Sequence, residues 1–105
     1  MPTFDVMPDI RETERFSKWF KSLRDRIAVK AITKRLVRLA AGLYGDCKRI
    51  ENIFELRVDV GPGYRIYFTK KENRIILLLV GGDKSTQGKD IALAKELAKQ
   101  DIELI

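Results

Sequence analysis

Two stretches of alternating apolar and polar residues, joined by a Gly-Pro-Gly turn at positions 61–63, constrain the fold more than any other part of this sequence. Successive side chains of a β-strand point to opposite faces of the sheet, so each stretch predicts a strand with one apolar and one polar face. The apolar face is predicted to hold Leu56, Val58, Val60, Tyr64, Ile66 and Phe68. The polar face is predicted to hold Glu55, Arg57, Asp59, Arg65 and Tyr67.

The polar face of this hairpin has two interpretations. Closing the hairpin over its turn predicts that Val60 lies opposite Tyr64 and that Arg57 lies opposite Tyr67. The charged groups of the two strands then form either an ordinary solvated surface, with the weak ion pairs common on such surfaces, or a functional site. The rest of the sequence must decide between these interpretations.

Length and composition predict a single domain spanning residues 1–105. A chain of 105 residues with 45% hydrophobic residues can bury one core. It has no apolar run of membrane-spanning length and no signal-peptide pattern, so we expect a cytoplasmic protein without a membrane partner. Cys47 is the single cysteine and histidine is absent, which excludes an internal disulfide and the usual zinc ligands. No cofactor or metal is predicted.

The positive charge of the chain predicts an anionic partner. The net charge is +6 and the isoelectric point is about 9.6, values that suit nucleic acid, an acidic protein or an anionic membrane surface. Between positions 15 and 38 the only acid is Asp25. Within that region Lys30, Lys34 and Arg38 follow one line along a predicted helix, where such a row is either solubilising or a contact surface.

Periodicity predicts two helices in the first half of the chain. A short edge strand is predicted at positions 2–7, and a helix is predicted to begin after Glu12 or Thr13. The buried stripe of this helix is predicted to hold Phe16, Trp19, Phe20 and Leu23. A second helix is predicted from Asp25 to Ala41 and ends before Gly42. Its buried residues are predicted to be Ile27, Ala31, Leu36, Leu39 and Ala40.

The second half predicts further strands and one more helix. Positions 47–53 are predicted to form a strand that leads into the hairpin. The wholly apolar stretch Ile75–Val80 predicts a central strand covered on both faces, ended by Gly81 and Gly82. Positions 90–100 return to helical periodicity. The order of elements predicts an α+β fold with helices packed against a mainly antiparallel sheet.

Several short motifs, in this order, resemble one known family. They are Trp19-Phe20, Arg35–Leu39, Gly45-Asp46, Glu55-Leu56-Arg57, Gly61–Tyr67 and Gly81–Gln87. The chain resembles, from about Phe16 to Lys99, the phage-derived addiction-module killer proteins. These Gp49-like proteins are a HigB-like branch of the RelE/ParE toxin superfamily.

The resemblance implies a fold, a function and partners. The implied fold has two N-terminal helices on a twisted, mainly antiparallel sheet of four to five strands, followed by a C-terminal helix. The implied function is that of a type II toxin that is neutralised by a cognate antitoxin in a hetero-oligomer. Ribonuclease members cleave mRNA on the ribosome without a metal, by attack of a ribose 2′-hydroxyl on the adjacent phosphate. That reaction needs proton transfer and cations that offset charge on the phosphorane.

The resemblance also implies roles for individual residues. Arg65 matches the strand arginine of the family and is the predicted transition-state stabiliser, since its planar fork can hold two phosphate oxygens. Lys84 matches the basic residue after the last strand and is the predicted second phosphate contact or acid. The predicted RNA-binding residues are Arg57, Tyr67, Lys48 and Gln87 on or near the sheet, and Lys30, Lys34 and Arg38 on the helix.

Two other functions stay open at this point. The sequence lacks the histidine or tyrosine that many ribonuclease members carry near their C-terminus, although Asp90 lies nearby. One alternative is therefore a toxin that binds a protein target, as the gyrase-poisoning members of the superfamily do, because one fold can host both activities. The other is an inactive homologue that binds nucleic acid through its basic surface alone.

Overall fold

One five-stranded mixed sheet organises the computed structural model, which describes residues 8–100. The strands are β1 (Asp9–Glu12), β2 (Cys47–Ile50), β3 (Ile53–Val58), β4 (Tyr64–Lys71) and β5 (Ile75–Asp83). Their order across the sheet is β1-β5-β4-β3-β2. β1 runs parallel to β5, and every other neighbouring pair is antiparallel. The predicted α+β class and the mainly antiparallel sheet are confirmed.

Three α-helices accompany the sheet in the described part of the chain. They are α1 (Glu14–Ser22), α2 (Arg26–Ala40) and α3 (Gln87–Gln100), the last preceded by a 3₁₀ turn at Lys84–Thr86. Thr13 caps α1, because its Oγ1 accepts a hydrogen bond from the Phe16 N–H at 3.0 Å. Asp25 caps α2 in the same way. None of these helices is long and apolar enough to span a bilayer.

The first core lies between one face of the sheet and the helices α1 and α2. Its buried residues are Phe16, Ala28, Ile32, Leu39, Leu56, Val58, Tyr64, Ile66, Phe68, Ile76 and Leu78. The predicted aromatic stripe of α1 packs here, as does the predicted apolar face of the hairpin. The burial of Ile27 was wrongly predicted, since 72% of it is exposed. The line of α2 that meets the sheet runs instead through Ala28, Ile32 and Leu39.

The second core lies between the opposite face of the sheet and α3. It holds Ile53, Tyr67, Leu77, Leu79, Val80, Ala94 and Ala98. A β-bulge helps to form it, because Val80 pairs with Tyr67 and Leu78 pairs with Phe68 while Leu79 has no partner on β4. Consecutive residues Leu79 and Val80 therefore both join this cluster. The prediction that β5 is covered on both faces is confirmed.

The register of the hairpin differs from the prediction by two residues. Val58, rather than Val60, lies opposite Tyr64, and Glu55, rather than Arg57, lies opposite Tyr67. The strands separate earlier because positions 59–63 form a longer loop, in which Gly61 and Gly63 have φ of 52° and 84°. A shift of two residues keeps the side chains of the paired residues on their predicted faces, whereas Asp59 and Val60 lie in the loop.

The predicted role of Gly81 and Gly82 was wrong. They do not end β5, which continues to Asp83. A Cβ at Gly81 would lie 2.1 Å from Cε3 of Trp19, and one at Gly82 would lie 2.1 Å from Oδ2 of Asp90. Glycine is needed at both positions because Trp19 of α1 and Asp90 of α3 lie directly against the backbone of β5.

Two other boundaries differ from the prediction. The predicted strand at 47–53 is two strands, separated by a turn at Glu51, whose φ is 52°. β1 was not predicted at Asp9–Glu12, and the edge strand predicted at positions 2–7 lies outside the described residues.

Candidate functional site

The buried carboxylate of Glu55 is the centre of a polar cluster on the α3 side of the sheet. Glu55 is 1% exposed and lies on β3. Its Oε1 accepts a hydrogen bond from Nε of Arg57 at 3.1 Å. Its Oε2 accepts hydrogen bonds from the hydroxyl of Tyr67 at 3.1 Å and from Nε2 of Gln87 at 2.7 Å. Two strands and the first residue of α3 thus converge on one side chain.

The hydrogen bonds keep Glu55 ionised. Burial by itself would raise the pKa of Glu55, but the hydrogen bonds from Gln87, Arg57 and Tyr67 outweigh burial and lower the pKa below its usual value. Burial and the neighbouring Glu55 carboxylate raise the pKa of Tyr67. Tyr67 therefore stays a protonated donor, and the carboxylate stays negative at neutral pH.

Arg57, which bonds to this carboxylate, lies opposite Arg65 of β4. Arg57 is held from two sides, because its Nε donates to Glu55 and its Nη1 lies 3.5 Å from Oδ1 of Asp46. The Asp46 segment is fixed in turn by Arg35 of α2, which donates hydrogen bonds to the carbonyl oxygens of Arg57, Tyr44 and Asp46.

Arg65 differs from Arg57 in its partners. Its Nη1 donates to the carbonyl of Tyr64 at 3.2 Å, whereas its buried Nε has no hydrogen-bond partner within residues 8–100. A buried donor without an acceptor costs about 1–3 kcal/mol. No carboxylate of the described chain forms an ion pair with Arg65. Its positive charge is therefore available to an anionic ligand.

Lys84 lies at the same end of the sheet as Arg65. Arg65 pairs with Gly82 and Tyr64 pairs with Asp83, so Lys84, which follows Asp83, lies just beyond these two pairs. The Lys84 N–H donates to the carbonyl of Gly63 at 3.1 Å, and its aliphatic chain lies over Gly63. The side chain of Asp83 caps the 3₁₀ turn by accepting from the N–H of Ser85 at 2.8 Å. Lys84 is thus fixed at its backbone, and the residue as a whole is exposed.

The structure brings together only some of the residues predicted from the sequence. Arg57, Tyr67 and Gln87 bond to Glu55, and Arg65 lies opposite Arg57 on the neighbouring strand. The exposed Lys48 lies opposite Glu55 on the edge strand β2. Tyr67 is fully buried, so its ring lies in the second core and its hydroxyl faces Glu55. The helix row of Lys30, Lys34 and Arg38 belongs to α2, on the other side of the sheet.

Two acidic residues of this region were missed as site residues. The alternating pattern of β3 places Glu55 on the same face as Arg57, and this pattern was the signal that could have identified Glu55 as a site residue. Asp90 is 8% exposed, accepts a hydrogen bond from Oγ1 of Thr86 at 2.5 Å and rests against Gly82. Its position in the first turn of α3 is favourable for a carboxylate, but no pattern in the sequence indicates that it is buried.

Solved structures with the same arrangement of elements define the fold. A chain of the intact E. coli RelBE toxin–antitoxin complex matches with a TM-score of 0.56 at 17% identity, covering 72% of this chain and 95% of that chain. A chain of the archaeal RelE–RelB complex from Pyrococcus horikoshii matches with a TM-score of 0.57 at 13% identity, covering 75% of this chain and 97% of that chain. The fold is therefore RelE-like.

Sequence comparison gives the family. The model described as phage derived protein Gp49-like matches residues 18–104. An uncharacterized protein of Haemophilus influenzae is 45% identical over 92 residues, which is 87% of this chain and 93% of that protein. The chain belongs to the Gp49-like family, as the order of its motifs predicted.

Proposed function

We propose that this protein is the toxin of a type II toxin–antitoxin pair and that it cleaves mRNA on the ribosome. The RelE-like fold supports the first part, because both structural neighbours come from toxin–antitoxin complexes. The observation that carries the second part is the unpartnered buried Nε of Arg65, which lies opposite Arg57, the arginine bonded to the buried Glu55. Such an activity would operate in the cytoplasm, where translated mRNA is found.

The proposed reaction is attack of a ribose 2′-hydroxyl on the adjacent phosphorus, with the proton of that hydroxyl released to solvent water. The bond from phosphorus to the 5′-oxygen breaks, leaving a 2′,3′-cyclic phosphate and a 5′-hydroxyl end. Arg65 stabilises the charge that develops on the phosphorane oxygens, which is the largest contribution expected from a fixed cation. Lys84 makes the second phosphate contact and, as an ammonium group, can protonate the departing 5′-oxygen. The reaction uses no metal.

Glu55 is proposed as a positioning residue. Its carboxylate is covered by three donors, so it fixes Arg57 and Gln87 rather than contacting RNA itself. Arg57, Gln87 and Lys48 are then the groups of this face that hold the RNA strand. Tyr67, predicted from the sequence as an RNA contact, is proposed instead to hold Glu55 in place through the hydrogen bond from its hydroxyl.

Induced expression of wild type, Arg65→Ala and Lys84→Ala tests this proposal. We expect the wild type to stop growth and to create new 5′ ends within translated codons. We expect the rate of mRNA cleavage to fall at least about 100-fold in each variant, which is the usual effect of removing a transition-state donor. Arg74→Ala and Lys99→Ala are matched controls, because both residues are exposed, Arg74 lies in the turn between β4 and β5, and Lys99 lies at the end of α3 opposite to Gln87.

Two outcomes would contradict the proposal. Full cleavage by folded Arg65→Ala and Lys84→Ala would show that the site is elsewhere. Growth arrest with intact mRNA would favour the alternative of a protein target, and covalently trapped, cleaved DNA would identify a gyrase-type target.

A further inference from the structure

The outer surface of α2 combines exposed apolar side chains with lysines. Ile27 is 72% exposed and Val37 is 64% exposed. Between them lie Lys30 and Lys34, and the spacing i, i+3, i+7, i+10 places all four along one side of the helix. We call Ile27, Lys30, Lys34 and Val37 the α2 ridge. Its two apolar ends are about 15 Å apart, from ten residues at the rise of an α-helix.

A shallow groove accompanies the α2 ridge. Its volume is about 620 Å³, and it is lined by Val29, Lys30, Ala31, Thr33, Lys34 and Val37. Four of its lining residues are exposed, and Ala31, at its edge, also packs against the first core. No residue between positions 26 and 45 is acidic. Within residues 8–100, no carboxylate pairs with Lys30 or Lys34.

This combination favours a protein partner over RNA. A phosphate backbone would pair with the lysines but would leave Ile27 and Val37 in water, because contacts with phosphate are electrostatic and bury little apolar surface. An amphipathic helix with acidic residues would satisfy both features, since it can cover the apolar ends and pair with the lysines between them. Exposed apolar residues flanked by charge are typical of such docking surfaces.

We propose that the α2 ridge binds an acidic amphipathic helix of the neutralising antitoxin. This proposal rests on the proposed toxin function and adds the place and chemistry of the contact. The partner helix spans at least three turns, carries apolar residues near both ends of that span and carries Asp or Glu between them. The ridge and the Glu55 cluster lie on opposite sides of the sheet, so this contact anchors the antitoxin away from the proposed cleavage site.

Titration of the full-length chain with the product of its adjacent gene tests the proposal. We expect Ile27→Ser/Val37→Ser to bind this product at least tenfold more weakly than the wild type, while its mRNA cleavage stays unchanged. Leu43→Ser is the matched control, because Leu43 is an exposed hydrophobic residue, 62% exposed, outside α2. Thermal unfolding checks that each variant is folded.

Charge reversal tests the electrostatic half of the surface. We expect Lys30→Glu/Lys34→Glu to weaken the same binding and Lys89→Glu/Lys99→Glu, an equal change of charge on exposed positions of α3, to leave it unchanged.

Three results would overturn the proposal. One is unchanged affinity of Ile27→Ser/Val37→Ser, and another is no binding of the adjacent gene product to the wild type. The third is a loss of ribosome binding by the ridge variants without loss of partner binding, which would assign the ridge to RNA. Failure of the proposed nuclease would appear separately, as absent cleavage by the wild type with partner binding intact.

Discussion

The face of the sheet under α1 and α2 is filled by apolar side chains, whereas the face under α3 is divided between an apolar cluster and the charged group around Glu55. Both faces arise from the same alternation along β3 and β4. Tyr67 and Phe68 are consecutive and both fully buried, yet one supports a carboxylate and the other stacks on Phe54 with ring centroids 5.1 Å apart. A polar strand face can therefore be largely buried when a helix covers it.

The largest expected effect is the loss of packing on the apolar face. Phe68→Ala should lower the free energy of unfolding by about 3–5 kcal/mol, because it removes a buried ring and leaves a cavity between β4 and the helices. Urea unfolding followed by circular dichroism measures the change. Val37→Ala is the control and should change stability little, since Val37 is 64% exposed. Equal effects of the two substitutions would contradict the assignment of the first core.

The sequence predicts which face of the sheet a side chain lies on better than it predicts whether that side chain is buried. Alternation assigned Arg57, Arg65 and Tyr67 to one face correctly, and it survived the wrong register because the error was an even number of residues. Alternation does not reveal which parts of a face a distant helix will cover. The bond from Gln87 to Glu55 joins residues 32 positions apart, so the burial of Glu55 could not be predicted.

Local signals were reliable where local chemistry decides the structure. Thr13 was predicted as one possible helix start, and its hydroxyl does cap α1. The apolar run of β5 indicated a covered strand but contained no sign of the bulge at Leu79, because every residue there is apolar. Gly81 and Gly82 were read as a turn because their actual reason, close contact with Trp19 and Asp90, depends on the tertiary fold.

The next largest effect separates a structural arginine from the proposed catalytic one. Arg35→Ala should lower the free energy of unfolding by about 2–3 kcal/mol, because three backbone carbonyl oxygens lose their donor. Arg65→Ala should leave stability nearly unchanged, because it removes the cost of the unpartnered buried Nε together with the single hydrogen bond of Nη1. Urea unfolding of both variants measures this difference. Greater destabilisation by Arg65→Ala than by Arg35→Ala would show that Arg65 is mainly structural.

The smallest effect concerns the carboxylate on the α3 face and depends on pH. Glu55→Gln should lower the free energy of unfolding by about 1–2 kcal/mol at pH 7, because an amide cannot accept from three donors as a carboxylate does. The pKa of Glu55 is lowered in the folded protein, so its stabilisation is fully present above the unfolded pKa and is lost as pH falls through the folded pKa. The stability difference between wild type and Glu55→Gln should therefore be largest at neutral pH and should vanish in acid. Urea unfolding at a series of pH values measures it, with Tyr67→Phe as a variant that keeps the carboxylate and removes one donor. A difference that is constant from neutral to acidic pH would mean that the charge of Glu55 does not stabilise the α3 face. The two faces would then differ only in packing.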